Sequence, residues 1–187
     1  MAPHHVTDLE TARRIADGDA WATESFVLAH YASVFRFLRH LTRHREEAED
    51  LTQQAFIKAK LQIASYRAKA SLRTWLFRIA LHEYTHWRRR RRRLVGLDQA
   101  PARVEPAYDA CIETEALLDA LERLPDRARE AFLLFEIQEL SIEETARVLG
   151  VPQGTVKSRL ANARRRLSAL LDGRQEDAIE SKAVLES

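Results

Sequence analysis

The sequence predicts an all-α protein built as two small helical domains joined by a flexible linker. Three observations carry this reading. Apolar residues recur at spacings of three and four, as in Val27, Tyr31, Val34, Leu38 and Leu41, which is the period of a helix with one buried face. Only five Gly and five Pro occur in 187 residues, too few breaks for a sheet protein with many turns. One stretch, Leu94 to Ala110, loses the periodicity and collects Gly96, Pro101 and Pro106; a segment of that length without a pattern reads as a tether rather than a loop inside one domain. The expected division is an N-terminal tail over 1–11, a first helical domain over 12–93, the linker over 94–112, a second helical domain over 113–172 and a tail over 173–187.

In the first domain, the stripe from Val27 to Leu41 is followed by a helix from Glu46 to Ile63 and another from Ser71 to Trp87. The last of these carries Leu72, Leu76, Ile79 and Ala80 on one face. After the linker, Leu117, Leu121 and Leu124 restart the period, Pro125 interrupts it, and Ala128, Phe132 and Phe135 mark the next helix. Ser141 and Glu144 then have the S-x-x-E spacing of a capping box, so a helix should start at Ser141. Gly150 suits the left-handed turn that ends it, and Pro152 suits the first position of the next helix. Ala146, Leu149, Val156 and Leu160 supply the small and apolar residues two crossing helices need where they touch, which makes Ser141–Leu167 a helix-turn-helix. Asp172-Gly173 reads as a stop, and Arg174 to Ser187 as a frayed terminus.

Composition excludes several classes. Apolar residues make up 45% and charged ones 31%, ordinary for a helix-rich protein. No run of about 18 apolar residues suggests a membrane span, and the N-terminus lacks a signal-peptide layout. The single cysteine, Cys111, permits no internal disulfide, which fits a reducing, cytoplasmic setting. The net charge of +2 conceals segregation: Asp98 to Glu139 holds eleven acids against four bases, whereas Arg88–Arg93 is six arginines in a row. From Gln153 to Leu167 there are five cations and no acid. Two basic patches around an acidic middle suit two separate contacts with nucleic acid.

Four groups of residues are candidates for chemistry. In the helix-turn-helix, the second helix is placed to set side chains against base edges and Lys157, Arg159 and Arg164–Arg166 on phosphates. In the first domain, Asp50, Gln53 and Gln54 project within one turn of each other beside Ile57, a polar cluster fit for docking a protein, or an ordinary solvated face. The segment from Tyr66 to Trp75 interleaves aromatics with Arg67, Lys69 and Arg73, and Trp87 then precedes the arginine run; rings that stack on bases and guanidiniums that hold phosphates suit single-stranded nucleic acid. Finally, His82-Glu83-Tyr84-Thr85-His86 has the H-E-x-x-H spacing of a zinc peptidase. No third ligand is identifiable, and the arginine run two residues on disfavours a bound dication, so no metal and no cofactor are expected.

Taken together these segments resemble a bacterial sigma factor of the sigma-70 family, in the small extracytoplasmic-function (ECF) group. Glu46-Glu-Ala-Glu-Asp-Leu-Thr-Gln-Gln-Ala-Phe resembles the family's polymerase-docking helix in region 2. Ser71-Leu-Arg-Thr-Trp-Leu-Phe-Arg-Ile-Ala resembles its promoter-melting segment, and Leu140–Leu167 its region 4. The resemblance implies a non-enzymatic transcription initiation factor in the bacterial cytoplasm that binds core RNA polymerase and promoter DNA, with an anti-sigma factor as its regulator. It implies polymerase contacts from Asp50, Gln53, Gln54 and Ile57. Contacts to the −10 region are implied for Tyr66, Arg67, Lys69, Ser71, Arg73, Trp75, Arg78, His82 and Arg88, Arg89, Arg90 and Arg91, the loop from Tyr66 holding a base extruded from the duplex. Contacts to the −35 region are implied for Thr155, Lys157, Ser158, Arg159, Asn162, Arg164 and Arg165. The acidic linker residues Asp98, Glu105 and Asp109 are implied to mimic nucleic acid in the polymerase cleft. The chain departs from the family pattern at Gln54, where Glu is usual, at Lys60, where an aromatic is common, and at His82, where Asn is frequent. Two other classes stay open on sequence alone: a helix-turn-helix regulator that needs no polymerase, and a zinc hydrolase through His82, Glu83 and His86.

Overall fold

The computed structural model describes residues 4–95 and 115–185, and over these it holds eight α-helices and no strand. The first half is a four-helix arrangement: α1 (His4–Ala16), α2 (Ala20–Thr42), α3 (Arg45–Gln62) and α4 (Leu72–Val95). The second half comprises α5 (Glu115–Glu122), α6 (Asp126–Phe132), α7 (Ile142–Leu149) and α8 (Gln153–Leu185). The linker acids Asp98, Glu105 and Asp109, together with Cys111, lie outside the described residues.

Local chemistry sets the helix ends. Asp19 caps α2 by accepting from the Ala22 N–H at 3.0 Å, and Arg43 closes that helix in a left-handed conformation, φ 65°. The capping box is present as the sequence predicts: the Ser141 hydroxyl accepts from the Glu144 N–H at 3.1 Å, and the Glu144 carboxylate accepts from the Ser141 N–H at 3.0 Å. Gly150 then takes φ 65° and its N–H reaches the Ala146 carbonyl. Pro152 sits one position earlier than expected, outside α8, where its carbonyl accepts from the Thr155 and Val156 N–H groups.

Two expected tails are structured. Residues 4–11 form most of α1, which inserts Ala12 and Ile15 into the core. Asp8 on this helix accepts from the Leu72 N–H at 2.9 Å and so caps α4 across 64 positions of sequence. No local pattern announces such a cap, because the donor belongs to another element. At the other end, the α8 backbone continues through Asp172-Gly173 to Leu185. A glycine within a helix costs about 1 kcal/mol relative to Ala, and the flanking Arg, Gln, Glu and Ala residues are good enough helix formers to span it.

The larger departure is in how the halves meet. The core around Val34, Phe37, Leu38, Leu76, Phe77 and Tyr84 continues without interruption into Leu133, Leu134, Leu140 and Val148 of the second half. A π-helical turn at Leu133–Ile137 makes this possible. The Gln138 N–H bonds back to the Leu133 carbonyl at 2.9 Å, adding one residue to the turn. Leu133 and Leu134 thereby face the first half, while Phe135 stays with the helix-turn-helix core of Ala131, Ala146, Val156 and Leu160. Full burial of a leucine contributes about 1.5–3 kcal/mol, so this seam is a substantial part of the packing. The stripe read as Ala128, Phe132 and Phe135 does face the cores of the second half; what a strict 3.6-residue period does not anticipate is the inserted residue that also turns Leu133 and Leu134 inward. Along α2, Val34, Leu38 and Leu41 are buried as expected, but Tyr31 is exposed. It stacks along Phe35 and Phe56 at the surface, with ring centroids 6.4 and 6.1 Å away.

Replacing Asp8 by Ala removes the remote cap from α4 and is expected to cost about 1 kcal/mol. Urea unfolding should show a lower midpoint with an unchanged slope; an unchanged midpoint would mean that the α4 terminus is held by other groups.

Candidate nucleic-acid interface

Four surfaces carry the residues singled out in the sequence. On α3, Leu51, Thr52, Ala55 and Ala59 face inward, and this leaves Asp50, Gln53, Gln54 and Ile57 together on the outer face, all exposed. The face is more apolar than the sequence suggested. Ile57 is 60% and Leu61 78% exposed, a turn apart on α3, and Leu28 on α2 is 72% exposed. Between these helices and α1 runs an apolar groove of about 180 Å³ lined by Ile15, Phe26, Val27, Phe56, Ile57 and Ile63. Leu28 and Leu61 were missed because periodicity alone assigns an isolated leucine to the core.

The segment from Tyr66 to Ser71 forms a tight loop between a 3₁₀ turn (Ile63–Ser65) and α4. Ala68 adopts φ 52°, a conformation a β-carbon disfavours. Tyr66 is buried rather than presented to solvent, and its hydroxyl donates to the Ala70 carbonyl at 2.6 Å, closing the loop on itself. Burial, helped by the neighbouring Asp8 carboxylate, pushes its pKa up to about 12, so it stays a neutral donor. Trp75 packs edge-on against it at 5.6 Å. Beside the loop lies an open cavity of about 600 Å³ lined by Tyr66, Arg67, Lys69, Trp75, Arg78 and Arg147. Four cations and two rings around one hollow suit an aromatic base with its phosphate. Tyr66 positions the wall; Arg67, Lys69 and Arg78 are exposed at the rim.

Along α4 the basic residues divide. Arg89 and Arg90 are exposed, and Arg91 lies over the Trp87 ring at 5.3 Å. Trp87 itself donates from its indole N–H to Glu47 at 2.6 Å. Ser71, Arg73 and Arg88, by contrast, turn toward the second half, where Arg73 donates to the Gln138 carbonyl at 2.5 Å and Arg88 pairs with Asp126 at 2.8 Å. The H-E-x-x-H segment does not assemble a peptidase centre. His82 and His86 are neighbours, 4.4 Å between ring centroids, but Glu83 is buried and ion-paired with Lys58 at 2.7 Å. The same carboxylate oxygen lies 3.4 Å from the adjacent His82 Nδ1, so it is held between two side chains. Among the described residues no three His, Cys, Asp or Glu are grouped to hold a metal ion.

The helix-turn-helix is built from α7 and the first turns of α8. Val156, Leu160, Ala163 and Leu167 are buried, which rotates Lys157, Ser158, Arg165 and Arg166 to the outside. Thr155, Arg159 and Asn162 are half-buried at the edge of this face. Ser158 donates to the Thr155 carbonyl at 2.9 Å, and Asn162 accepts from Arg166 at 3.1 Å. Arg164 is engaged elsewhere: it bonds Glu136 at 2.7 and 3.0 Å and covers the Phe135 ring. Lys157 and Arg165 are left as the most freely presented cations of the set.

Comparison with known proteins matches the two halves separately and in order. Residues 26–94 match the model of sigma-70 region 2, and residues 114–167 match sigma-70 region 4. The chain is 36% identical to the ECF RNA polymerase sigma factor SigM of Mycobacterium tuberculosis over 172 residues, 90% of this chain and 86% of that protein. It is 32% identical to the sigma factor YlaC of Bacillus subtilis, over 83% of this chain and 96% of that one. Among solved structures, the sigma factor RpoE of Bartonella quintana, in complex with the anti-sigma factor NepR, superposes with a TM-score of 0.71 at 29% identity, over 80% of this chain and 96% of that one. CnrH, in complex with the cytosolic domain of CnrY, superposes with a TM-score of 0.68 at 25% identity, over 89% of this chain and 97% of that one. With both matched regions in order on one chain, and with relatives of 36% and 32% identity along most of its length, the chain belongs to the sigma-70 family of RNA polymerase sigma factors, in its ECF group.

Proposed function

We propose that this chain is an alternative sigma factor that divides promoter recognition between its two halves. Core RNA polymerase docks on the outer face of α3, through Asp50, Gln53, Gln54 and Ile57, with Leu61 and Leu28 extending the apolar part of the contact. The loop from Tyr66 to Ser71 and the rim cations Arg67, Lys69 and Arg78 hold a single-stranded base of the −10 region, with Trp75 at the wall of the hollow. Arg89 and Arg90 on α4 follow the phosphates. The start of α8 enters the major groove of the −35 region, with Thr155, Arg159 and Asn162 toward bases and Lys157, Ser158 and Arg165 toward phosphates. The chain acts as an initiation factor, with the polymerase supplying catalysis, in the cytoplasm where polymerase and promoter are found. The observation that carries this reading is the co-occurrence, on one chain, of the exposed α3 face and a capped helix-turn-helix with an acid-free basic helix. A regulator acting without polymerase has no need of the first. The relative solved with the anti-sigma factor NepR supports an anti-sigma factor as the regulator of this chain as well.

Asp50→Ala is expected to weaken association with core polymerase about tenfold, the scale of a central contact residue, and to lower run-off transcription in parallel. Transcription that stays at the wild-type level with this variant would remove the docking face from the proposal. Lys157→Ala should weaken duplex promoter binding about equally for all sequences and reduce the salt slope by about one unit. A slope that does not move would place Lys157 off the phosphates.

A further inference from the structure

The H-E-x-x-H segment assembles no peptidase centre, yet its two histidines stay together at the surface. His82 and His86 are both exposed, one turn apart on α4, with ring centroids 4.4 Å apart. Two imidazoles that share one ion, each through a nitrogen about 2 Å from it, have centroids about 5 Å apart. A small side-chain rotation therefore brings this pair to chelating distance. The tautomer is arranged as well. His82 Nδ1 lies 3.4 Å from Glu83 Oε1, and the same oxygen is held by Lys58 at 2.7 Å. An ionised carboxylate only accepts, so Nδ1 carries the hydrogen and Nε2 keeps the lone pair a metal needs. A carboxylate behind a ligating histidine is the usual support of an imidazole–metal bond. Glu83 is thus a positioning residue for the pair rather than a ligand.

We propose that His82 and His86 form a two-imidazole site for a divalent transition cation of the zinc and nickel type, whose open positions take phosphate oxygens of a bound single strand. This rests on the assignment of α4 to the −10 strand. Imidazole suits these cations, whereas magnesium and calcium prefer oxygen donors. Arg78 precedes His82 by four positions, and Arg89 and Arg90 follow His86 by three and four, so all five exposed residues share one stripe of the helix. Two protein ligands leave at least two positions of a tetrahedral ion open. In the free chain the three guanidiniums repel the cation and hold its affinity down. A strand lying on the same stripe brings negative charge to ion and arginines alike. Ion and strand then strengthen each other's binding, and the coupling is reciprocal.

The test uses the full chain, zinc chloride as the probe and a fluorescein-labelled single-stranded DNA 20-mer of random sequence. In equilibrium dialysis against a zinc series, His86→Ala is expected to bind one equivalent fewer than the wild-type chain, since histidines elsewhere contribute equally to both. Equal stoichiometry would mean an adventitious ion only and overturns the site. Zinc is expected to tighten binding of the 20-mer by the wild-type chain about fivefold and to steepen the salt slope by about 0.7, the value of one added phosphate contact on a single strand. His86→Ala should keep the zinc-free affinity and lose both responses. His86→Cys, which restores a zinc ligand at that position, should regain them. A zinc response that persists in His86→Ala, or that magnesium chloride reproduces at the same concentration, overturns the proposal, as does zinc binding that leaves DNA affinity unchanged. Run-off transcription by the wild-type chain with core polymerase and no added zinc tests the promoter reading separately. Transcription without a zinc response sinks the metal site alone.

Discussion

Helix α4 is covered on two sides by different parts of the chain, and that double packing organises everything else. Leu72, Leu76, Phe77, Ile79, Ala80, Leu81 and Tyr84 are all buried on it. Cover comes from both halves: α2 and α3 take one flank, and α7 with the π turn takes the other. Phe37 meets Phe77 edge-on at 5.5 Å on the first flank, and Leu133, Leu134 and Val148 fill the second. Polar groups along this seam must then find partners, because a buried polar group without one costs about 1–3 kcal/mol. The contacts of Arg73, Thr74 and Arg88 with the second half follow from that requirement.

Much of this was legible in the sequence where the signal is local. The capping box at Ser141 and the left-handed Gly150 depend on residues within a few positions of each other, and both are present as read. The inward residues of α8 follow from its period. What was not legible depends on chain distant in sequence. The Asp8 cap on α4 joins the N-terminal helix to Leu72. The Lys58–Glu83 pair, which takes the carboxylate out of the H-E-x-x-H segment, joins two helices. The π turn breaks the period that a stripe count relies on. Tyr66 illustrates the limit well: an aromatic beside cations reads as a stacking platform, but its depth of burial is a property of the whole bundle.

Glu144 links the two scales. Burial acts to raise its pKa, yet hydrogen bonds from Ser141, Thr74 and Ser71 together outweigh that effect and hold the carboxyl below its ordinary value. Its charged form is thus the one that both the helix terminus and the seam require. A group whose folded pKa is lowered stabilises the folded form above its unfolded value and loses that contribution as the pH falls through the folded one. Near neutrality the carboxylate is fully charged, and the coupling between helix-turn-helix and α4 does not depend on small changes in acidity.

The left-handed alanine in the Tyr66–Ser71 loop has a consequence for speed. A non-glycine residue at φ 52° costs about 1–2 kcal/mol relative to its relaxed form, and the Tyr66–Ala70 hydrogen bond on either side of it offsets this. A loop locked in that way has lost its conformational freedom in the free chain. Under the function proposed above, capture of a base would require no search among loop shapes, and the slow step would move to the DNA, whose base has to leave its stack.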